Sequence, residues 1–324
     1  MLGSGGIVGG AYHAGVLKAL HDTWGIDPRS VDLIVGTSAG SLAGAFLAAG
    51  LHPNDLFRRE TGTRLSPAGA AIVARGRAKR GPLPTTMSAV GGPAAPQAVL
   101  RAMAKPGGAA IGSLVAALMP RGSVSTDHVA GMVDGLLGVD WPTSPRLRFC
   151  AVDLASASRV VFGGPTDIDD LDGRARHLTT DPGRAVAASC AVPSVFAPVA
   201  IDGHDYLDGG AHSADNLDLV GTSEVDLVIV SSPSASERPL TGSLPLVGFR
   251  ELSRLQTRRE RRALPAGCRV EVLRPSPRDL DAMGPNMFDH RRRAAVAFQA
   301  HTSASVTLSR LEPPPTGRRS DGNG

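Results

Sequence analysis

Apolar residues along the chain fall into short runs and into helical spacing, and the two alternate. Leu33, Ile34 and Val35 form a short run with Val31, the pattern of a buried strand. Gly36-Thr37-Ser38-Ala39-Gly40 follows at once. Leu42, Ala45, Phe46 and Ala49 then recur at helical spacing until Gly50. Val31–Gly50 therefore reads as strand, sharp turn, helix. Upstream, Ala11–Leu20 reads as a helix that can bury Ala14, Val16, Leu17 and Leu20, and His21–Ser30 as a polar connection. Ser125-Thr126-Asp127-His128 opens a capped helix running through Val129, Met132, Val133 and Leu136-Leu137, with His128 on its surface. Arg148–Leu154, Ala155–Ser158 and Arg159–Phe162 read as strand, turn, strand. Arg184–Cys190 is a short helical stretch, and Pro193 and Pro198 bracket an extended Ser194–Ala197. Val199–Ile201 and His204–Leu207 flank Asp202-Gly203, a strong hairpin signal, and the returning strand runs into Asp208-Gly209-Gly210. Val225–Val230 and Cys268–Leu273 read as strands, Gly248–Arg262 and Arg291–Leu311 as helical.

Residues 51–125 carry the weakest pattern. Pro53-Asn54-Asp55 starts a helix through Phe57, and Arg75–Arg80 is basic. Pro82–Pro96, rich in Pro, Gly, Ala and Thr, reads as loop. Gln97–Lys105 and Ala109–Leu118 read as short helices. The second is nearly all apolar, which suits a core helix better than a lid over an apolar substrate. The arginines of Gly248–Arg262 fit anionic head groups, but Glu251 and Glu260 dilute them, so a solvated face is the expectation.

Composition narrows the classes. The 324 residues are 42% hydrophobic and 20% charged, enough for a sizeable core. A net charge of +4 and 4% aromatics argue against nucleic acid as a partner. Cys150, Cys190 and Cys268 are few, odd in number and widely spaced. They imply a reduced, cytoplasmic setting and neither a disulfide framework nor a zinc site. No run approaches a membrane span, and no signal peptide is visible.

Three stretches carry candidate chemistry. Gly36 and Gly40 flank Ser38 where side chains would block strand–helix packing, so Ser38 fits a nucleophile elbow. A structural turn serine fits the five residues alone; the strand before and the helix after favour the elbow. Gly3–Gly10 opens the first helix, and free amides there form an anion or oxyanion cradle. A dinucleotide loop would want an acid at the end of the next strand, but Asp32 lies near that strand's beginning, and Ser4 replaces the first glycine. Only two residues precede Gly3, so the first strand is expected to be nearly absent, or the natural start to lie upstream. Asp208, followed by Gly209 and Gly210, fits either a carboxylate presented at a sheet rim or an acidic turn residue.

Taken together, the glycine loop, Gly36-Thr37-Ser38-Ala39-Gly40 and Asp208-Gly209-Gly210 resemble the patatin-like phospholipase family, as do GGAYHAGVLKAL, AVDLASASRVVF and VPSVFAPVAIDGHDYLDGG. The resemblance runs from Leu2 to about Leu311. It implies an α/β fold, a three-layer α/β/α sandwich around a mainly parallel sheet. It divides the chain into an acyl hydrolase domain at 1–311, with a variable region at 51–125, and a disordered tail at 312–324. It implies hydrolysis of lipid acyl esters, without cofactor or metal, and with transient contact at a membrane surface. The implied roles are nucleophile for Ser38, general base for Asp208, and oxyanion-hole amides from Gly5, Gly6 and Ile7, with Gly36, Gly40, Gly209 and Gly210 supporting the motifs. Ser4 stands where the family usually has glycine, and Val8 where it often has a basic residue. Rival readings are an acyltransferase using the same serine, a non-catalytic lipid-binding relative, and a Ser-His-acid triad drawing on His212, His290 or His301.

Overall fold

The computed structural model describes residues 1–79, 89–95, 97, 111–164, 171, 174–220, 225–235, 255–264 and 267–314. Helices are α1 (Gly6–Trp24), α2 (Ala39–Ala48), α3 (Pro53–Thr61), α4 (Pro67–Ala78), α5 (Ile111–Leu118), α6 (Asp127–Leu137), α7 (Pro182–Ser189), α8 (Pro277–Met283) and α9 (Arg293–Leu308). Strands are β1 (Leu33–Thr37), β2 (Ala89–Pro93), β3 (Pro120–Gly122), β4 (Arg146–Asp153), β5 (Ser158–Gly163), β6 (Arg176–Leu178), β7 (Val199–Ile201), β8 (His204–Asp208), β9 (Leu227–Ser231) and β10 (Arg269–Leu273).

The sheet is built on β4, whose residues after Arg146 are all buried. One edge of β4 takes β5, antiparallel, through the short turn that contains Ala157. The other edge is shared. Its first half pairs with β1 in parallel, as far as Thr37 opposite Cys150. Its second half pairs with β8 antiparallel, starting at Asp208 opposite Ala151. Beyond β1, Leu2 alone supplies the next rung, bridging Gly36 on one side and Ser231 on the other, and β9 and β10 continue in parallel. The sheet is therefore parallel through β10, β9, Leu2, β1 and β4 and antiparallel where the β7–β8 hairpin and β5 join it.

Period-two alternation sorts each strand's side chains between two apolar clusters. Ile34, Leu147, Phe149, Ala151, Val160 and Phe162 join the main core with Val8, Leu17, Phe46, Val133 and Val296 from the helices. Val35, Cys150 and Val161 face the other way, toward Leu171 and Leu219. Both faces of the sheet are thus covered, as a layered sandwich requires. Helix α1 lies along α9 at backbone contact: a Cβ on Gly15 would stand 2.5 Å from the Ala297 carbonyl oxygen.

Several boundaries differ from the sequence reading. Helix α1 begins at Gly6, so Gly6, Gly9 and Gly10 are helical, and it runs through His21 to Trp24 instead of yielding to a connection. Close packing explains the glycine: a Cβ on Gly9 would come within 3.3 Å of Pro233. Helix α4, capped by Ser66 onto the Gly69 amide at 3.0 Å, and α8, with a Ser276/Asp279 capping box, had no strong apolar period to announce them. Part of the expected 82–96 loop pairs as β2 with β3. Glu260 is buried, 7% exposed, and accepts the Leu217 amide at 2.8 Å, so it does not dilute the surface charge of Arg258, Arg259, Arg261 and Arg262. The remaining residues of Gln97–Lys105 after Gln97, and 248–254 with Arg250, Glu251 and Arg254, lie outside the described residues, as does the tail beyond 314. Helix α5 buries Ala116 and Ala117 against Leu154, Ala157 and Leu207 but leaves Val115 and Leu118 exposed, so it is core on one face only.

Candidate active site

Ser38 sits between β1 and α2 at φ 54 and ψ −119, a backbone position that costs a non-glycine residue on the order of 1–3 kcal/mol. Surrounding contacts hold it there. Its N–H donates to Ser189 Oγ at 3.0 Å. Its carbonyl accepts the Ser41 amide at 2.9 Å and the Ser41 hydroxyl at 2.6 Å. The flanking glycines are required by space. A Cβ on Gly36 would lie 2.6 Å from Ser41 Cα, and one on Gly40 would lie 2.0 Å from the Leu2 carbonyl oxygen.

The shared edge of β4 explains how Asp208 reaches Ser38. β1 climbs that edge to Cys150 and β8 descends it to Ala151, so the two strands end head to head. Ser38 leaves one end and Asp208 occupies the other. The next residue must be glycine, because a Cβ on Gly209 would lie 2.4 Å from the Cys150 carbonyl oxygen. Asp208 is 3% exposed, and its Oδ1 accepts the Gly210 amide at 2.7 Å. Burial raises the Asp208 carboxyl to about 7, against the opposing pull of the neighbouring Ser38 side chain and the Gly210 amide. A base of that strength beside a serine hydroxyl is suited to take its proton.

The glycine turn packs on both. A Cβ on Gly210 would stand 3.1 Å from Ser4 Oγ, and one on Gly9 would stand 3.9 Å from Ala39 Cβ. The amides of Gly5, Gly6 and Ile7 have no hydrogen-bond partner among the described residues, and they open α1, where the helix dipole is positive. Gly6 has φ 61 and lies against Met287, and Ile7 is 39% exposed. Val8, in contrast, is a core residue at 4% exposure.

The histidines lie elsewhere. His204, 47% exposed along its side chain, has Nδ1 at 3.3 Å from Asp153 Oδ2, at the far end of the hairpin strand from Asp208. His212 follows the turn after Asp208 but feels Arg159 and Asp218, and burial lowers it to about 4. His301 pairs with Asp22 at 2.9 Å. Among the described residues no three His, Cys, Asp or Glu side chains are grouped to hold a metal, all three cysteines are free, and no helix is long and apolar enough to cross a membrane.

Sequence reading missed the groups that brace these elements. Asn216 Nδ2 donates to Thr37 Oγ1 at 3.0 Å, behind the elbow, and Arg159 donates to Asn216 Oδ1 at 3.1 Å while pairing with Asp218 at 2.7 Å. These contacts join positions more than fifty residues apart, and no local pattern marks them.

A solved structure of VipD from Legionella pneumophila is similar over 95% of this chain and 66% of its own, at 12% identity and a TM-score of 0.42. The type III effector protein ExoU is similar over 95% of this chain and 52% of its own, at 16% identity and a TM-score of 0.33. The chain thus spans less than two thirds of either structure's length. No curated protein sequence matches it. The family model for patatin-like phospholipases matches residues 2–220, a stretch that holds the glycine turn, the elbow and the Asp208 turn, and the chain belongs to that family.

Proposed function

We propose that this protein is a lipid acyl hydrolase that works through an acyl-enzyme on Ser38. The observation that carries the reading is the head-to-head meeting of β1 and β8 on one edge of β4, which sets the strained Ser38 turn beside the buried Asp208 carboxylate. A serine hydroxyl is a weak nucleophile until a base takes its proton. Asp208 takes it as Ser38 Oγ attacks the ester carbonyl, and the Gly5, Gly6 and Ile7 amides receive the charge that develops on oxygen. Collapse expels the alcohol, which leaves with the proton from Asp208. Water then attacks the acyl-enzyme, giving a proton to Asp208, and on collapse Asp208 returns that proton to Ser38 Oγ as the fatty acid departs. The reaction needs neither metal nor cofactor, and the substrate class is an acyl ester of a lipid, met at a lipid surface.

Mixing the protein with nitrophenyl butyrate is expected to give a burst of nitrophenol close to one equivalent, unchanged after exhaustive EDTA treatment. No release, or release that EDTA abolishes and calcium restores, would overturn the mechanism. The dyad also predicts that His204→Ala and His212→Ala keep most of their turnover, because neither imidazole meets Asp208. A folded His212→Ala protein as inactive as Asp208→Asn would show a triad instead.

A further inference from the structure

The glycine turn raises a physical problem. Five of the eight residues from Gly3 to Gly10 are glycine, and a glycine-rich backbone loses more freedom on ordering than any other. Donors stabilise a developing oxyanion only if they are fixed before the reaction begins. The Gly5, Gly6 and Ile7 amides bond to nothing among the described residues, so their direction has to be set from the residues on either side.

On the upstream side every backbone polar group is tied. The Gly3 amide donates to the Ser231 carbonyl at 3.0 Å and the Ser4 amide to the Ala214 carbonyl at 2.8 Å. The Gly3 carbonyl lies 2.8 Å from His13 Nε2. The Ser4 carbonyl accepts the Ser234 hydroxyl at 2.6 Å. A carbonyl only accepts, so Nε2 carries the proton, and His13 Nδ1 must then accept from Ser231 Oγ, 2.8 Å away. His13, Ser231 and Ser234 are all buried. His13 lies on α1 itself, so the helix whose first amides are free reaches back to hold the residue before them.

We infer that His13, Ser231 and Ser234 form a clamp of positioning residues that aims the oxyanion-hole amides. Two of the three lie beyond residue 220, outside the stretch that matches the family, so β9 and the turn after it supply part of the machinery. His13 works as a neutral imidazole: burial lowers it to about 4, and an imidazolium could not accept from Ser231. The inference rests on the acyl hydrolase reading above.

The test compares Ser234→Ala, His13→Ala and His13→Gln on nitrophenyl butyrate. Glutamine keeps a donor for the Gly3 carbonyl and an amide oxygen to accept from Ser231, so it is the conservative replacement, whereas alanine removes both. Removing an oxyanion donor outright costs about a hundredfold or more in kcat, so misaiming it in Ser234→Ala should cost at least about tenfold. KM should stay within about twofold. The inhibition constant of a trifluoromethyl ketone, whose adduct carries the oxyanion, should rise in step with the loss in kcat. His13→Gln should retain more turnover than His13→Ala, and the pH midpoint of the rate, set by Asp208, should not move. If Ser234→Ala and His13→Ala fold, label with a fluorophosphonate and keep the parent's kcat and inhibition constant, the clamp is overturned. A lower melting temperature with unchanged kcat and inhibition constant overturns it as well, since that is a structural role. An inactive parent overturns the hydrolase reading and the clamp with it; an active parent with unaffected variants overturns the clamp alone.

Discussion

Ser38→Ala is expected to leave a folded protein that takes up no fluorophosphonate probe and has lost about a thousandfold or more of its turnover. Removal of a serine nucleophile typically costs that much, since only general binding and the oxyanion donors remain. The fold should survive, because the elbow is held by groups that alanine keeps. The residue 38 amide still meets Ser189 Oγ, and its carbonyl still accepts from Ser41. The methyl group stays at the strained φ of 54, so the substitution neither relieves nor adds to the backbone cost. Peptide mapping of the labelled parent should place the probe on Ser38. Equal labelling of parent and variant would show that another residue reacts and would sink the assignment.

The contrast between the elbow and its partner shows what a sequence can reveal. Gly36, Ser38 and Gly40 are legible because the constraint is local: five residues must turn a strand into a helix, and only glycine fits at two of them. The β7–β8 hairpin is legible for the same reason, since Asp202 and Gly203 at φ 49 and 78 make the turn that the pair signals. The start of α1 was hidden because its glycines look like helix breakers, while what selects them is contact with Pro233 and Met287 from the far end of the chain. The burial of Glu260 was hidden because a glutamate among arginines reads as surface, whereas the Leu217 amide draws it inside. Above all, the meeting of Ser38 and Asp208 depends on two strands sharing one edge of β4. The register that makes them meet involves pairings across more than fifty residues, which no periodicity carries.

Asp208→Asn is expected to lose turnover and gain stability at once. Asparagine preserves the shape and still accepts the Gly210 amide, but it cannot take the Ser38 proton. Turnover should fall by at least about a hundredfold, the lower range for general-base catalysis. In the parent the base acts only when ionised, so kcat/KM should climb as pH rises through about 7 and level off above it. Stability runs the other way. The folded carboxyl sits near 7, well above its ordinary value of 3.8, so between those limits the unfolded chain gives up a proton that the folded chain keeps. The unfolded state therefore binds fewer protons in that window, and parental stability falls as pH rises from about 4 to 7 and then stays flat. At pH 8 the buried charge costs the parent on the order of 4 kcal/mol, a penalty that asparagine never incurs. Thermal unfolding of the two proteins should show the variant melting several degrees higher at pH 8, with the gap closing toward pH 4. A variant that melts lower at pH 8, or a parental rate that is flat from pH 5 to 8, would mean that Asp208 is not a buried base.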